Sequence, residues 1–139
     1  VEQPKVATLS ALEVVNPDMP STLDAAVLTQ MNRRGQIKDC LVDGPFALDN
    51  AVNAERAEHK GIRGSEVAGQ ADILLVPNIE TGNAIYKAAT CLASFRSAGL
   101  VFGAKAPIIL SSRADTPESK FLSILCASRV AAFKAVSNE

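Results

Sequence analysis

The sequence predicts an α/β fold built on a parallel sheet, and three observations predict it. Short apolar runs alternate with stretches of helical periodicity, the order that βαβ units produce. The apolar run Ala71-Asp72-Ile73-Leu74-Leu75-Val76 ends abruptly in Pro77-Asn78-Ile79-Glu80-Thr81-Gly82-Asn83, and a helical pattern follows at once. That reads as a buried strand opening at its carboxyl end into a polar loop and a helix N-terminus, where α/β proteins bind ligands. The third observation is scale: 139 residues, 47% hydrophobic and 21% charged, fit one globular domain with a real core.

Each element has its own justification. Residues 6–12 alternate as a first strand, and Asn16-Pro17-Asp18-Met19-Pro20 breaks it, since two prolines cannot sit in a central strand. Ser21, with Asp24 three residues on, starts a helix. Leu23, Ala26, Val27 and Met31 give that helix one apolar face, and Gly35 ends it. Residues 37–42 are a short second strand that stops at Asp43-Gly44-Pro45, a turn by composition. Residues 49–60 are helical in character with a thin apolar face, and Gly61, Gly64 and Gly69 mark a loop after them. Residues 73–76 form the third strand, and residues 83–98 a long helix with Ile85, Ala89, Leu92 and Phe95 on one face. Residues 100–102 and 108–110 are two further short strands. The last helix begins near Thr116-Pro117, because proline suits a first helical turn, and runs to about Val136 through Phe121, Leu125 and Val130. The expectation is about five strands and four helices, with no internal repeat.

Charge and cysteine usage exclude several classes. Net charge is near zero, with 14 basic and 15 acidic residues, and Arg33-Arg34 is the only adjacent basic pair. No long-range field for nucleic acid or an anionic membrane follows. Cys40, Cys91 and Cys126 are odd in number, far apart and without a CxxC pair. Each lies in an apolar stretch, so they are expected as reduced core thiols of a cytoplasmic protein. No apolar run approaches the ~20 residues of a membrane span, and no signal peptide is visible. The chain starts at Val1 without a methionine, and reads as though cut from something longer.

Chemistry concentrates at three expected strand ends: Asp43-Gly44-Pro45, residues 77–83, and Ser111-Ser112-Arg113-Ala114-Asp115. In a parallel sheet the carboxyl ends share one edge, so these loops can converge on one cleft. Each cluster also has a plain structural reading. Asp43-Gly44-Pro45 serves equally as a turn, Thr81 or Asn83 as a helix N-cap, and Asp115 or Thr116 as another. The third cluster is the sharpest, because Ser112-Arg113 directly follows what reads as a buried strand. Arginine offers a planar donor fork suited to phosphate or a developing oxyanion. His59, the only histidine, lies in the polar helix beside Lys60 and suits a solvated surface role, so a Ser-His-Asp hydrolase is unsupported. There is no Walker A and no GxGxxG, and one histidine with scattered cysteines makes no zinc site. Anion binding, with acyl or phosphoryl chemistry by positioned donors, remains.

These residues resemble a known family. Residues 43–51 (Asp-Gly-Pro-Phe-Ala-Leu-Asp-Asn-Ala), residues 71–83, and Ser112-Arg113-Ala114-Asp115 resemble the phosphate acetyl/butyryl transferase family. Gly82-Asn83-Ala84-Ile85-Tyr86-Lys87 is similar to a run shared across that family. The Asp-Gly-Pro start, the Val-Pro-Asn-Ile-Glu run and the Ser-Arg-Ala-Asp form look like its phosphate butyryltransferase branch. The likeness extends from Lys5 to about Ala127.

The resemblance implies reversible transfer of an acyl group between coenzyme A and inorganic phosphate, both as substrates, with no covalently bound cofactor and no metal in the chemical step. It implies a parallel-sheet, three-layer α/β fold similar to isocitrate and isopropylmalate dehydrogenases, with the active site between two domains, and a homodimer or larger homo-oligomer. The family's serine–arginine pair falls on Ser112, which would hold the thiol or thiolate of coenzyme A, and Arg113, which would polarise the acyl carbonyl or grip phosphate. The acetyl branch places a carboxylate base at the spacing of Ser119, which cannot serve, so Asp115 is the substitute. Substrate contacts would come from Asp43, Gly44, Pro45, Asn78, Glu80, Thr81, Gly82, Asn83 and Lys87. Family members are much longer. By their plan residues 1–105 form the inserted second domain, and residues 106–139 a strand and helix returning to an absent first domain. Such a fragment, with half a cleft, is expected to turn over little alone. Two alternatives stand beside this reading. A non-catalytic ligand-binding or regulatory module on the same scaffold has no reason to keep Ser112, Arg113 and Asn83 together. A metal-dependent dehydrogenase of similar fold needs clustered aspartates, which the sequence lacks.

Overall fold

Strand β1 (Lys5–Leu9) is the middle of a parallel three-stranded sheet, with β2 (Leu41–Phe46) on one side and β3 (Ile73–Leu75) on the other. The computed structural model describes residues 1–137 and divides into two compact units, Val1–Ala84 and Ile85–Glu139. In the first unit, Ala7 pairs with Asp43 of β2 and with Leu74 of β3, and both ladders run parallel. Central position explains the burial of Ala7, Thr8 and Leu9, with Val42 and Phe46 of β2 completing the core beside them. β3 is less covered than its apolar composition suggests. Ile73 and Leu75, expected in a buried strand, are both exposed, because within this unit one face of the edge strand has no layer over it.

Helix α1 (Pro20–Arg33) starts at Pro20, one residue before the expected Ser21. Its buried face is Thr22, Ala25 and Thr29, while Leu23 and Val27 of the expected apolar face are exposed. The cause is Thr22. Its Oγ1 accepts the Asn16 N–H at 2.9 Å and lies 2.8 Å from the Met19 carbonyl, so the entry loop fixes the rotation of the helix. Small side chains then face the strands, and Thr29 Oγ1 reaches the Gly44 carbonyl at 3.5 Å. Gly35, in the left-handed region, follows the C-cap as the sequence suggests.

Residues 37–40 are not strand. The Asn32 amide donates to the carbonyls of Ile37 (3.1 Å) and Cys40 (2.9 Å) and accepts the Val42 N–H (3.0 Å). These groups bond a helix side chain where a ladder would take them, so pairing begins at Leu41. Conversely, Asp43-Gly44-Pro45 is strand and not turn: β2 continues through it to Phe46, with a register shift opposite Ala7 to Leu9 and a cis Gly44–Pro45 peptide. Gly44 has φ 151°, and a Cβ there would collide with the Thr8 side chain and lie 2.7 Å from its carbonyl oxygen. Only glycine allows β1 and β2 to approach so closely.

The polar stretch folds as two short helices, α2 (Leu48–Val52) and α3 (Ala54–His59), with Asn53 Oδ1 accepting the Arg56 N–H at 3.0 Å as cap. His59 is exposed, in keeping with a solvated role. The glycine loop after it buries Val67 and Ala68 and returns the chain to α2 through Gly69 N–H to Asn50 O (2.8 Å).

Helix α4 (Ile79–Lys87) begins four residues earlier than expected and is followed by one π-helical turn, Ala88–Leu92. The wider turn shifts the helical phase, and Leu92 and Phe95 of the expected face are exposed. In the second unit, residues 100–102 and 108–110 make no strands. A single antiparallel bridge joins Val101 to Ile108, and Ile108, Ile109 and Leu110 are exposed. Three strands, not five, therefore occur among the described residues. Helix α5 (Pro117–Ser137) starts where expected, with Thr116 Oγ1 accepting the Ser119 N–H at 3.1 Å. Among its described side chains Ser123 and Ala127 are buried, whereas Phe121 (63% exposed) and Leu125 (55%) lack cover. The cysteines are not core residues: Cys40 is half-buried, Cys91 and Cys126 are exposed, and all three are free thiols.

Candidate functional site

The polar clusters separate into two groups, one in each unit. In the first unit, parallel pairing puts the carboxyl ends of β2 and β3 on one sheet edge, with the end of β1 between them. Asp43, Gly44 and Pro45 are in the last four residues of β2, and Pro77-Asn78 follows β3 by way of Val76. Asp43 Oδ1 accepts the Gly44 N–H at 2.9 Å, and Thr8 Oγ1 donates to the Asp43 carbonyl at 3.0 Å, so this corner is internally bonded. A cavity of about 230 Å³ opens at the same edge, lined by Thr8, Leu9, Ser21, Asp24, Leu75 and Pro77 among others.

Asn78 is the N-cap of α4: its Oδ1 accepts the Thr81 N–H at 2.8 Å. Neither Thr81 nor Asn83 caps the helix, because both lie inside it. Glu80, Thr81, Gly82 and Asn83 thus occupy its first turns, at the positive end of its dipole, with Glu80 and Asn83 exposed. Lys87 is not with them. It sits in the last turn of α4, nine residues beyond Asn78 and about 13 Å along the axis at 1.5 Å per residue. Its Nζ lies 5.1 Å from the centroid of the Tyr86 ring.

In the second unit, Ser112-Arg113-Ala114-Asp115 forms a closed turn, not the end of a buried strand. Asp115 Oδ2 accepts the Ser112 N–H at 2.7 Å, and the Asp115 N–H donates to the Ser112 carbonyl at 3.1 Å. Ser112 Oγ accepts the Ala114 N–H at 3.4 Å. Arg113, at the tip, is exposed and makes no ion pair among the described residues. The other Asp115 oxygen, Oδ1, accepts the Tyr86 hydroxyl at 3.4 Å. Asp115 and Tyr86 line a pocket of about 310 Å³ that also receives Lys87, Ser97 and Ser119. The arrangement presents a serine hydroxyl and a guanidinium on a backbone fixed by a carboxylate, beside this pocket.

A separate charged group lies outside both clusters. Lys60 Nζ is 3.1 Å from Asp49 Oδ1 and 3.6 Å from Glu13 Oε2. The hydrogen bond to Lys60 holds the Asp49 carboxyl below its ordinary value, and the same bond raises Lys60. Beside them Asn50 is fully buried, with Nδ2 donating to Glu13 Oε2 at 3.4 Å and Oδ1 without a partner among the described residues. Among the described residues no three His, Cys, Asp or Glu side chains are grouped to hold a metal, and no helix is long and apolar enough to cross a membrane.

Sequence reasoning missed Tyr86 and Ser97. The signal for Tyr86 was present, since it is the chain's one tyrosine and lies in the Gly82–Lys87 motif. For Ser97 nothing local stands out.

The first unit is a parallel α/β sheet with polar residues at its carboxyl ends, and the second carries Ser112 and an exposed Arg113 on a closed turn. A family model described as "Phosphate acetyl/butaryl transferase" matches residues 1–128, and the chain belongs to that family. It is 56% identical over 134 residues to a phosphate butyryltransferase of Clostridium acetobutylicum, covering 96% of this chain and 44% of that protein. A phosphate acetyltransferase of Thermotoga maritima is 58% identical over 124 residues, covering 89% of this chain and 42% of the relative. Among solved structures, a branched-chain phosphotransacylase from Enterococcus faecalis V583 superposes with a TM-score of 0.78 at 39% identity, covering 93% of this chain and 46% of that one. The chain therefore spans less than half the length of these relatives.

Proposed function

We propose that this chain carries the serine–arginine part of a phosphate acyltransferase site, which moves an acyl group reversibly between coenzyme A and inorganic phosphate. The observation that carries the reading is the Ser112–Asp115 turn, with its exposed arginine and its carboxylate-held backbone. In the forward direction a phosphate oxygen attacks the thioester carbonyl carbon, the carbon–sulfur bond breaks, and acyl phosphate and the thiolate of coenzyme A result. Arg113 stabilises charge on phosphate or on the carbonyl oxygen as it develops. Ser112 Oγ donates to the departing sulfur. Asp115, expected as the substitute base, has one oxygen on the Ser112 N–H and the other on the Tyr86 hydroxyl, and in this reading it holds the turn in place of that role. Asp43, Gly44, Pro45, Asn78, Glu80, Thr81, Gly82 and Asn83 are the coenzyme A contacts in this reading, supported by the place of Asp43–Pro45 and Asn78 at the carboxyl ends of β2 and β3 and of Glu80–Asn83 in the first turns of α4. Lys87 adds positive charge beside the pocket next to Asp115.

The finer architecture belongs to the same proposal: a three-layer arrangement of the isocitrate/isopropylmalate dehydrogenase kind, in a cytoplasmic homo-oligomer. Residues 1–105 act as the second domain, and residues 106–139, a segment without the expected strand followed by α5, as the part that docks on a further domain. Uncovered apolar residues at Ile108, Ile109, Leu110, Phe121 and Leu125 support that docking.

The test is a chimera in which this chain replaces the stretch it aligns with in the Clostridium acetobutylicum enzyme. Thiol release from butyryl-coenzyme A with phosphate is expected in the chimera, and a loss of about 100-fold or more in Ser112→Ala and in Arg113→Ala. A folded but inactive chimera overturns the functional reading. Full activity in both substitutions overturns the site.

A further inference from the structure

The Tyr86 hydroxyl sits at the junction of a side-chain chain that no backbone element requires. It is 3.2 Å from Ser97 Oγ and 3.4 Å from Asp115 Oδ1. Ser97 Oγ is 3.4 Å from Ser119 Oγ, which is 3.1 Å from Thr116 Oγ1. Hydroxyl protons rotate to suit their neighbours, but an ionised carboxylate only accepts. Tyr86 therefore donates to Asp115, which leaves it to accept from Ser97. Ser97 then accepts from Ser119, and Ser119 from Thr116. Every proton in the chain points toward Asp115, and each bond polarises the next. At the far side of the carboxylate, Oδ2 holds the Ser112 N–H at 2.7 Å.

We propose that Tyr86 is a positioning residue for the serine–arginine turn: its hydroxyl fixes the rotation of the Asp115 carboxylate, and Asp115 fixes the backbone that presents Ser112 and Arg113. This rests on the reading of Ser112 and Arg113 as the acyl-transfer pair. Ser119 occupies the spacing at which the resemblance expects a carboxylate, and here it serves as a link in the hydroxyl chain. The ring is steadied from outside by the Lys87 ammonium. Without the hydroxyl, Asp115 Oδ1 loses its donor, the carboxylate is free to turn, and the Ser112 N–H is held only part of the time.

Two measurements on the 139-residue chain test this without any activity. In Tyr86→Phe, amide hydrogen exchange at Ser112 is expected to quicken about fivefold, with Val42 of β2 unchanged. No change at Ser112 overturns the proposal, and so does a uniform rise across both residues, since that marks general destabilisation. The second measurement needs no substitution of Tyr86. The chain has one tyrosine and no tryptophan, so its aromatic emission reports Tyr86 alone. A carboxylate acceptor quenches tyrosine emission, so Asp115→Asn is expected to brighten it while Arg113→Ala does not. Equal emission in wild type and Asp115→Asn overturns the contact. In the active chimera, Tyr86→Phe is expected to lower kcat about tenfold with KM for butyryl-coenzyme A unchanged. A raised KM with unchanged kcat overturns the positioning role. An inactive chimera bears on the functional reading alone, and the exchange and emission results stand apart from it.

Discussion

The two units present polar residues by opposite means. At the sheet edge of the first unit, Asp43, Gly44 and Pro45 are part of a strand, and Glu80 to Asn83 are part of a helix. They belong to hydrogen-bonded backbone elements, to which the side chains of Thr8, Asp43 and Asn78 add single bonds. In the second unit, Ser112 and Arg113 sit on a turn whose flanking apolar residues are exposed, and side chains hold it: Asp115, Tyr86 and Ser97. A backbone-held site fails when the backbone cannot close. A side-chain-held site fails one hydroxyl or carboxylate at a time. The consequence is that the same size of chemical change should have global effects in one unit and local effects in the other.

Gly44→Ala breaks the comparison most directly. Its Cβ would collide with the Thr8 side chain and stand 2.7 Å from the Thr8 carbonyl oxygen, and that backbone cannot move without shifting the central strand. The expected loss is about 3 kcal/mol, at the upper end for overpacking, read as a lower urea midpoint. Exchange at Val42 and Leu74 should rise together, because one sheet carries both. A loss below about 1 kcal/mol would mean that side chains, and not the close approach of β1 and β2, set this edge.

Ser123→Ala sharpens the other half. Ser123 is 1% exposed, its Oγ accepts the Gly99 N–H at 2.9 Å and donates to the Ser119 carbonyl at 2.7 Å. Removing the oxygen leaves the Gly99 N–H without its acceptor, at a cost of about 1–2 kcal/mol. Exchange should quicken at Gly99 and hardly at Val42. Equal change at both residues would show that the second unit does not behave as a set of local side-chain bonds.

This difference also explains what could be read in the sequence. Gly35, Asn53, Thr116-Pro117 and the loop of Gly61, Gly64 and Gly69 end or start elements through chemistry within a few residues, and composition reveals them. The face of α1 was hidden, because Thr22 is set by the loop at Asn16 and not by side-chain size. The start of β2 was hidden for a similar reason: Asn32 claims the carbonyls of Ile37 and Cys40 from an adjacent helix. Asp43-Gly44-Pro45 has the composition of a turn, and only the neighbouring strand makes it a ladder. At the candidate site, Ser112, Arg113 and Asp115 were legible as one short pattern. Tyr86 was visible as a motif residue but its bonding was not, since its partners Ser97 and Asp115 lie 11 and 29 residues further on. Contacts of that span leave no periodic or spacing signal.

The smallest expected effect is electrostatic and belongs to the first unit. Asp49 is pulled below its ordinary value of 3.8, chiefly by the hydrogen bond from Lys60, and Lys60 is raised above 10.5 by the same bond. The signs follow from linkage. The Asp49 contribution is present in full above pH 3.8 and disappears as pH falls through its lowered folded value. The Lys60 contribution is present in full below pH 10.5 and disappears as pH rises through its raised folded value. Both groups face water, so the effect on urea midpoints should be slight and should shrink with added salt. Asp49→Asn is expected to flatten the acid limb below pH 3.8, and also the alkaline limb to the extent that Glu13 does not replace the lost partner at 3.6 Å. An Asp49→Asn profile that matches the wild type through both limbs would mean that this surface ion pair adds nothing. The first unit would then rest on its backbone ladder and core alone.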